Sequence, residues 1–267
     1  MTHQASPLLS IRGLLVDLDG VVWEGDRVLS GAPAFFHFLR RIRMPFRLIT
    51  NNSTLRPAQY VAKLAGMGID VAPDEVLGSA GATARYLQQA SPPGARVFVI
   101  GEDGLRSAIA EAGFVLADRD VEYVVVGLDR ELDYRKLTLA VQHVRAGAAF
   151  IGSNPDTTLP VPEGVIPGAG ASHAAIQAAS GVAPLVIGKP EPTMLLMGTE
   201  LLGLAPRAVA IVGDRLDTDI VGGARAGLAT ILVLTGVSTR ADADRSTIKP
   251  DFVYPDLSAL QAALEAL

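Results

Sequence analysis

Cysteine is missing from this sequence of 267 residues, which excludes a disulfide framework, a thiolate metal site and a cysteine nucleophile. Long apolar runs are missing as well, since no uncharged stretch approaches the roughly 18 residues that a membrane-spanning helix needs. Basic residues number only 23 against 28 acidic ones, and the formal net charge of −5 argues against a nucleic-acid surface. The first ten residues lack the basic start and apolar segment of a secretory signal. We therefore expect a cytoplasmic protein whose partners include neither membrane nor nucleic acid.

Hydrophobic residues make up 49% of the chain, enough to fill the core of one large domain or two modest ones. Apolar strand patterns alternate with helical patterns along the whole sequence, which predicts an α/β fold with a doubly wound, Rossmann-like parallel sheet. The alternation starts afresh after a run of small residues at 78–82, which favours a hinge there. We predict one domain from residues 1–78 and 187–267, with a second α/β domain, residues 79–186, inserted into it.

Polar residues follow four of the predicted strands. Asp17 and Asp19 follow an apolar run at residues 11–16, and Gly20 lets the backbone turn away. The other strand ends carry Thr50 with Asn51, Lys189, and Asp214 with Asp219. Because a parallel sheet brings the carboxyl ends of its strands to one edge, we expect these groups to converge.

Several carboxylates cannot share a crevice unpaired, because each like charge raises the pKa of its neighbours. A hard cation and the ammonium of Lys189 would resolve the repulsion. With no histidine or cysteine nearby, oxygen ligands predict Mg²⁺, held by Asp17, Asp214 and a backbone carbonyl near Asp19. A magnesium ion, a lysine and hydroxyl and amide donors suit a phosphoryl group. One carboxylate can then attack phosphorus, and the second can protonate the leaving alkoxide and afterwards activate water.

These motifs, in this order, resemble a known family. Asp17-Leu18-Asp19-Gly20, Thr50-Asn51, Lys189, and Gly213-Asp214 followed by Asp219 resemble the four motifs of the haloacid dehalogenase-like superfamily. Within the insertion, Asn154-Pro155-Asp156 and Pro167-Gly168-Ala169-Gly170 are similar to the p-nitrophenylphosphatase, phosphoglycolate and pyridoxal phosphatase branch, subfamily IIA. The resemblance covers nearly the whole chain.

The resemblance implies a role for each matching residue. Asp17 would be the nucleophile and a Mg²⁺ ligand, and Asp19 the general acid and base whose carbonyl also binds the metal. Asp214 would bind Mg²⁺, with Asp219 supporting the site, and Lys189 would neutralise the phosphoryl group and steady Asp17. The phosphoryl-binding and substrate-binding positions would be Thr50, Asn51, Asn52, Asn154 and Asp156.

The insertion resembles a cap domain whose loop, residues 154–165, selects the substrate. The resemblance also implies a homodimer formed through this cap. Leu159 stands where pyridoxal phosphatases carry a histidine, which argues against pyridoxal phosphate as substrate. The implied enzyme is a Mg²⁺-dependent phosphoric monoester hydrolase acting on a small phosphorylated metabolite through an aspartyl-phosphate. Two other functions stay open: a regulatory protein that binds a phosphorylated ligand without turnover, and a phosphomutase.

Several residues also have purely structural interpretations. Asp17 to Gly20 would suit an Asp-Gly turn with solvated carboxylates. Asn52 could cap the helix that follows it, and Asn154 with Asp156 could form an Asx turn. Trp23 is expected to pack, and His173 to be structural.

Overall fold

The computed structural model describes residues 7–161 and 164–267. Its chain divides into two compact units, each crossing the sequence more than once. The core unit comprises, in their described parts, Met1–Thr50, Val61–Val76 and Pro190–Leu267. The inserted unit comprises Asn51–Tyr60 and Leu77–Lys189. The domain boundaries inferred from the sequence, 1–78 with 187–267 and 79–186, stay predictions.

Strands and helices alternate along most of the chain. The β-strands of the described residues are β1 (Gly13–Asp17), β2 (Trp23–Glu24), β3 (Arg27–Val28), β4 (Phe46–Thr50), β5 (Val76–Gly78), β6 (Arg96–Ile100), β7 (Val115–Leu116), β8 (Tyr123–Val126), β9 (Ala149–Gly152), β10 (Thr158–Val161), β11 (Gly164–Pro167), β12 (Leu185–Val186), β13 (Val209–Gly213), β14 (Ala229–Val233) and β15 (Phe252–Tyr254). The α-helices are α1 (Ala32–Arg41), α2 (Pro57–Gly66), α3 (Ser79–Ala90), α4 (Asp103–Glu111), α5 (Tyr134–Arg145), α6 (Ala169–Ser180), α7 (Pro192–Leu202), α8 (Val221–Ala226), α9 (Arg240–Arg245) and α10 (Leu257–Glu265). A π-helical turn, Leu216–Ile220, precedes α8.

The main sheet has the strand order β15-β14-β13-β1-β4-β5. Its central strand β1 pairs in parallel with β13 on one side and with β4 on the other. Every residue of β1 and β13 is buried, which explains why these segments read as continuous apolar runs. Helix α1 packs against α10, whose N-cap Asp256 accepts a 2.8 Å hydrogen bond from the backbone of Ala259. The predicted doubly wound α/β fold is confirmed.

The inserted unit has its own parallel sheet, in the order β12-β9-β8-β6-β7. A second, antiparallel ribbon is formed by β10 and β11. The apolar core under the sheet is filled by residues of its strands and of α5 and α6, namely Phe98, Ile100, Val124, Val126, Ala140, Val144, Phe150 and Ile176. The insertion is therefore a second α/β layer structure, as its sequence pattern predicts.

The inserted unit bears on three expectations. The small residues at 78–82 lie in regular structure, since β5 ends at Gly78 and α3 begins at Ser79 with Ala80 and Ala82 buried; a hinge at this boundary between the two units stays a prediction. The prolines of segment 152–170 predict a loop, but the segment contains the β10–β11 ribbon; Pro162 and Glu163 lie outside the described residues. Strand β12 pairs with β9 of the inserted sheet, so the strand before Lys189 does not belong to the main sheet.

Short elements of the core unit correct two more. The sequence predicts a loop over residues 24–28, but these residues form the turn and the flanking strand residues of the β2–β3 hairpin. It also predicts a short strand over residues 69–71, but these residues are not a strand, and β5 supplies the edge strand instead. No helix within residues 7–161 and 164–267 is both long and apolar enough to cross a membrane.

Candidate active site

Three carboxylates of the core unit lie together at the ends of two neighbouring strands. Asp17 is the last residue of β1, Asp214 directly follows β13, and Asp219 lies in the π-helical turn after it. Each offers one oxygen, and these oxygens all lie within 4.8 Å of one another. Parallel pairing of β1 with β13 accounts for the meeting, because it aligns their carboxyl ends although they are about 200 residues apart in sequence.

Burial increases the electrostatic repulsion among these three carboxylates. Asp17 is 7% exposed, Asp214 2% and Asp219 0%. Three carboxylates at this spacing and burial repel one another unless a cation or protons compensate them. Carboxylate oxygens, with no sulfur or imidazole among them, are the ligands that hard divalent cations prefer. The cluster could therefore hold a hard divalent cation.

The position of Asp219 is fixed by its own turn. A β-carbon on Gly213 would overlap the Asp219 side chain, so only glycine permits this close approach. The backbone N–H of Arg215 donates a 3.1 Å hydrogen bond to Asp219 Oδ2. π-Helical turns often occur at functional sites, and this one turns Asp219 back towards the end of β13.

A segment that the sequence reasoning missed holds Asp214. Residues 235–238, which we call the clamp loop, follow β14. The backbone N–H of Val237 donates to Asp214 Oδ2 at 2.8 Å, and that of Ser238 donates to the Asp214 carbonyl at 3.0 Å. The Thr235 hydroxyl donates to the Gly20 carbonyl at 2.6 Å. The clamp loop thereby ties the loops after β1 and β13 to each other; a threonine-glycine pair soon after a buried strand was the available signal.

Asp19 differs from the three clustered carboxylates in its solvent exposure: it is exposed, whereas Asp17 is buried. The backbone turns after β1, as the turn alternative predicted, and an isolated parallel bridge joins Asp19 to Trp23. The indole N–H of Trp23 donates to Asp19 Oδ1 at 2.8 Å. Trp23 is buried, as expected of a packing residue, but it also contacts a predicted catalytic group.

The inserted unit brings four of the other predicted residues together. The Asn51 side-chain amide donates to Asp156 Oδ2 at 3.1 Å and to the Lys189 carbonyl at 2.9 Å. The Asn154 amide donates to the Asn51 carbonyl at 2.9 Å. The backbone N–H of Asp156 donates to Asn154 Oδ1 at 3.2 Å, which is the Asx turn that was one of the alternatives. A conventional turn and a polar cluster thus occupy the same residues.

Lys189 is 2% exposed, so it is far from the solvated lysine of a surface loop. It follows Gly188, where a β-carbon would come within 2.7 Å of Asn51 Oδ1. Thr50 ends β4 and is buried, one residue beyond the Ile49 that pairs in register with Asp17. Asn52 does not cap a helix: its Oδ1 accepts hydrogen bonds from the backbone and hydroxyl of Thr54.

One buried histidine and one surface ion pair have structural roles. His173 is buried, burial lowers its pKa, and its Nε2 lies 3.0 Å from the Val126 carbonyl. Gly152 packs against its ring, where a β-carbon would overlap it. Arg215 and Asp217 form a 2.7 Å ion pair at the surface, and the hydrogen bond from Arg215 lowers the pKa of Asp217.

A doubly wound α/β fold with buried carboxylates at adjacent strand ends defines a class of proteins able to bind a hard cation there. Family models narrow the class: "Haloacid dehalogenase-like hydrolase" matches residues 14–115, and a HAD-hydrolase-like model matches residues 186–260. The acid sugar phosphatase of Staphylococcus aureus is 44% identical over 255 residues, which cover 95% of this chain and 98% of that relative. The chain therefore belongs to the haloacid dehalogenase-like hydrolase family.

Comparison with solved structures supports the same family assignment. A 4-nitrophenylphosphatase from Thermotoga maritima is 36% identical, with a TM-score of 0.93 over 97% of this chain and 100% of its own. A p-nitrophenyl phosphatase from Archaeoglobus fulgidus is 33% identical, with a TM-score of 0.91 over 96% of this chain and 99% of its own. The resemblance to this superfamily and to its p-nitrophenylphosphatase branch, subfamily IIA, is confirmed.

Proposed function

We propose that this chain, a phosphatase of the haloacid dehalogenase-like family, hydrolyses small phosphomonoesters with Mg²⁺ through an aspartyl-phosphate on Asp17. The observation that carries the proposal is the buried cluster of Asp17, Asp214 and Asp219, whose oxygens lie within 4.8 Å of one another. A regulatory protein that only binds a phosphorylated ligand would have no need of a nucleophile beside such a cation site. The enzyme would be a phosphoric monoester hydrolase.

The proposed reaction has two halves. An oxygen of Asp17 attacks phosphorus in line, the ester P–O bond breaks, and Asp19 gives its proton to the departing alkoxide. Asp19 then takes a proton from a water molecule, whose oxygen attacks the phosphorus of the aspartyl-phosphate, and the bond between that phosphorus and the Asp17 oxygen breaks. Inorganic phosphate leaves, and both carboxylates return to their starting states.

Mg²⁺ would be held by Asp17, Asp214 and the backbone carbonyl of Asp19, and it would neutralise the carboxylates and the phosphoryl oxygens when bound. Asp219 supports this set through the contacts of its turn. The Thr235 hydroxyl donates to the Gly20 carbonyl, and the Val237 N–H donates to Asp214. These two hydrogen bonds hold the loops after β1 and β13, which carry the proposed metal ligands, in fixed positions relative to each other.

For the phosphoryl group we propose donors from Thr50 and Asn51 and charge neutralisation by Lys189. The hydrogen bond from Asn51 to the Lys189 carbonyl supports a coordinated role for these two residues. Asn154 and Asp156 would act on substrate and at the same time orient Asn51, since both are hydrogen-bonded to it. Asn52 would contribute through the turn that it forms with Thr54.

The substrate would be a small phosphorylated metabolite, and a sugar phosphate is the first class to test, because the Staphylococcus aureus relative is named an acid sugar phosphatase. Leu159, in place of a histidine, argues against pyridoxal phosphate. Leu159 lies on β10, within the 154–165 segment proposed to choose the substrate. A cytoplasmic location and a homodimer through the inserted unit are further proposals, and they rest on the sequence and on the family resemblance.

The test is phosphate release from p-nitrophenyl phosphate and from a panel of sugar phosphates, with Mg²⁺ and with a chelator. We expect Asp17→Asn to fold normally and to lose at least about a thousandfold in kcat, because the nucleophile and a metal ligand disappear together. Asp217→Asn, at the exposed ion pair with Arg215, is the matched control and should stay near wild type.

An Asp17→Asn variant with nearly wild-type turnover would contradict the assignment of the nucleophile. Binding of phosphoesters with no release from any of them would favour the regulatory protein. Transfer of the phosphoryl group to a second sugar hydroxyl, in preference to water, would identify a phosphomutase.

A further inference from the structure

The side chain of Asp19 is held by a donor that the reaction scheme does not use. The residue itself is exposed, yet its Oδ1 accepts a 2.8 Å hydrogen bond from the indole N–H of Trp23. An exposed aspartate otherwise samples several rotamers, and ordering it carries an entropic cost. Trp23 is only 2% exposed, so its N–H comes from a ring fixed by packing. A rigid donor thus fixes one oxygen of a carboxylate that is otherwise free to rotate.

Further contacts fix the indole itself. The Lys63 Nζ lies 4.6 Å from the centroid of the Trp23 ring, a distance at which a cation is attracted to an aromatic face. The same ammonium donates to the Gly25 carbonyl at 2.8 Å, in the turn of the β2–β3 hairpin. The backbone N–H of Gly20 donates to the Trp23 carbonyl at 2.7 Å, which closes the turn that connects Asp19 to Trp23. The indole therefore has little freedom to follow a moving carboxylate.

We propose that Trp23 is a positioning residue for proton transfer by Asp19. Because Oδ1 accepts the indole N–H, the proton that Asp19 delivers is carried on Oδ2. That proton passes from Oδ2 to the leaving oxygen as the ester P–O bond breaks, and Oδ2 later accepts a proton from the attacking water. The inference rests on the proposed function, in which Asp19 is the general acid and base.

This role predicts a dependence on the leaving group. p-Nitrophenolate departs readily without a proton, whereas the alkoxide of p-nitrobenzyl phosphate needs one, and the two esters differ by a single methylene. The ratio kcat/KM includes the steps up to departure of that group. We expect Trp23→Phe to lower kcat/KM about tenfold for p-nitrobenzyl phosphate and less than about threefold for p-nitrophenyl phosphate.

A thermodynamic cycle separates positioning from general damage. In an Asp19→Ala background we expect Trp23→Phe to cause no further loss with p-nitrobenzyl phosphate, because the group it positions is gone. If Trp23→Phe does not fold, the tryptophan can be replaced during expression by benzothienylalanine, whose sulfur takes the place of the N–H at nearly the same volume. Trp23 is the only tryptophan of the chain, so this replacement alters one site.

The contact also has a readout independent of activity. A ¹⁵N-labelled sample gives a single indole N–H resonance, since the chain has one tryptophan. Asp19→Ala should move that resonance upfield in ¹H, because the carboxylate acceptor is lost. Asp26→Ala is the matched control: it removes a carboxylate 3.3 Å from Lys63 on the same hairpin and should leave the resonance in place.

Each outcome decides the matter. An indole resonance unchanged by Asp19→Ala, or equal losses with both esters, or an undiminished effect of Trp23→Phe in the Asp19→Ala background, would overturn the inference while the phosphatase proposal stands. A wild-type protein that hydrolysed neither ester would contradict the proposed function and this inference with it. Selective loss with p-nitrobenzyl phosphate, abolished by Asp19→Ala, would support both.

Discussion

The carboxylate of Asp214 lies between two glycines. A β-carbon on Gly20 or on Gly236 would overlap it, and Gly20 also adopts a φ of +77° that favours glycine. Between them, the N–H of Val237 donates to its Oδ2. The orientation of this predicted metal ligand is thus set by backbone atoms of segments more than 200 residues apart, and by the absence of side chains on both.

Gly236→Ala tests that arrangement. The added methyl group should push the Asp214 carboxylate out of position and raise the Mg²⁺ concentration for half-maximal activity at least about tenfold, as loss of support around a metal ligand commonly does. A Mg²⁺ titration of phosphate release measures the change.

Gly66→Ala is the matched control, because its β-carbon would meet nothing within 4 Å. It should leave the Mg²⁺ requirement unchanged. If the Mg²⁺ requirement of Gly236→Ala were also unchanged, the close approach to Asp214 would have no bearing on the metal.

Among single residues, the strand-end carboxylates were the easiest to find from sequence. Asp17 and Asp214 follow apolar runs, Asp219 lies five residues after Asp214, and the structure places the oxygens of all three together. Their roles in catalysis stay predictions. The contact between Trp23 and Asp19 was not foreseeable, because an aromatic residue four positions after a carboxylate gives no sign of whether its N–H points back to it.

At the scale of the element, an ion pair fastens α1 to the turn before β5. Arg40 donates to both oxygens of Glu75, at 2.6 and 2.5 Å, and the Glu75 side chain is only 16% exposed. Burial raises the pKa of Glu75, but the hydrogen bonds from Arg40 and from the backbone of Ala72 outweigh it. The net pKa of Glu75 lies below its ordinary value.

This gives the pair a defined pH dependence. Since the folded state favours the ionised carboxylate, the stabilisation is present above the unfolded pKa of Glu75 and disappears as pH falls through its lower folded pKa. Glu75→Gln should therefore reduce the free energy of unfolding by about 1 kcal/mol or less at pH 7, given the half-exposed arginine, and by nothing measurable in strong acid.

Urea unfolding of the wild type and variant at both pH values measures this difference. Glu265→Gln, at the more exposed pair with Arg41 of the same helix, is the control and should change the stability by less than about 0.5 kcal/mol. A loss for Glu75→Gln that persisted undiminished in acid would show that charge is not its origin.

Long elements with a clear period were predicted well, and short ones were not. The sequence pattern predicts strands at 97–100 and 123–126 and a helix at 134–145, and β6, β8 and α5 lie there. The two-residue strands of the β2–β3 hairpin carry too few residues to show a period of two. Strands β10 and β11 contain proline at Pro160 and Pro167, which reads as loop but is tolerated where a strand has a free edge.

At the scale of the whole molecule, we expect the carboxylate cluster to couple stability to metal binding. An ion bound only by the folded state stabilises it by about 2.7 kcal/mol at a concentration a hundredfold above its Kd. We expect Mg²⁺ to raise Tm relative to a chelator, because three buried carboxylates then share a counter-ion.

Asp214→Asn should reduce that rise in Tm. The variant should also be more stable than the wild type in chelator, since one of three repelling charges is removed. Thermal unfolding of both proteins with Mg²⁺ and with chelator measures the two effects. Equal shifts in wild type and variant would show that the ion binds elsewhere.

The sequence by itself determined the α/β class, the insertion and the family, because these depend on local periodicity and on polar residues at the ends of apolar runs. Only the tertiary structure decided that Leu185–Val186 joins the inserted sheet, and that the clamp loop donates a hydrogen bond to Asp214. Strand pairing and side-chain contacts between distant segments are selected by packing of the entire chain, and no local pattern encodes that choice.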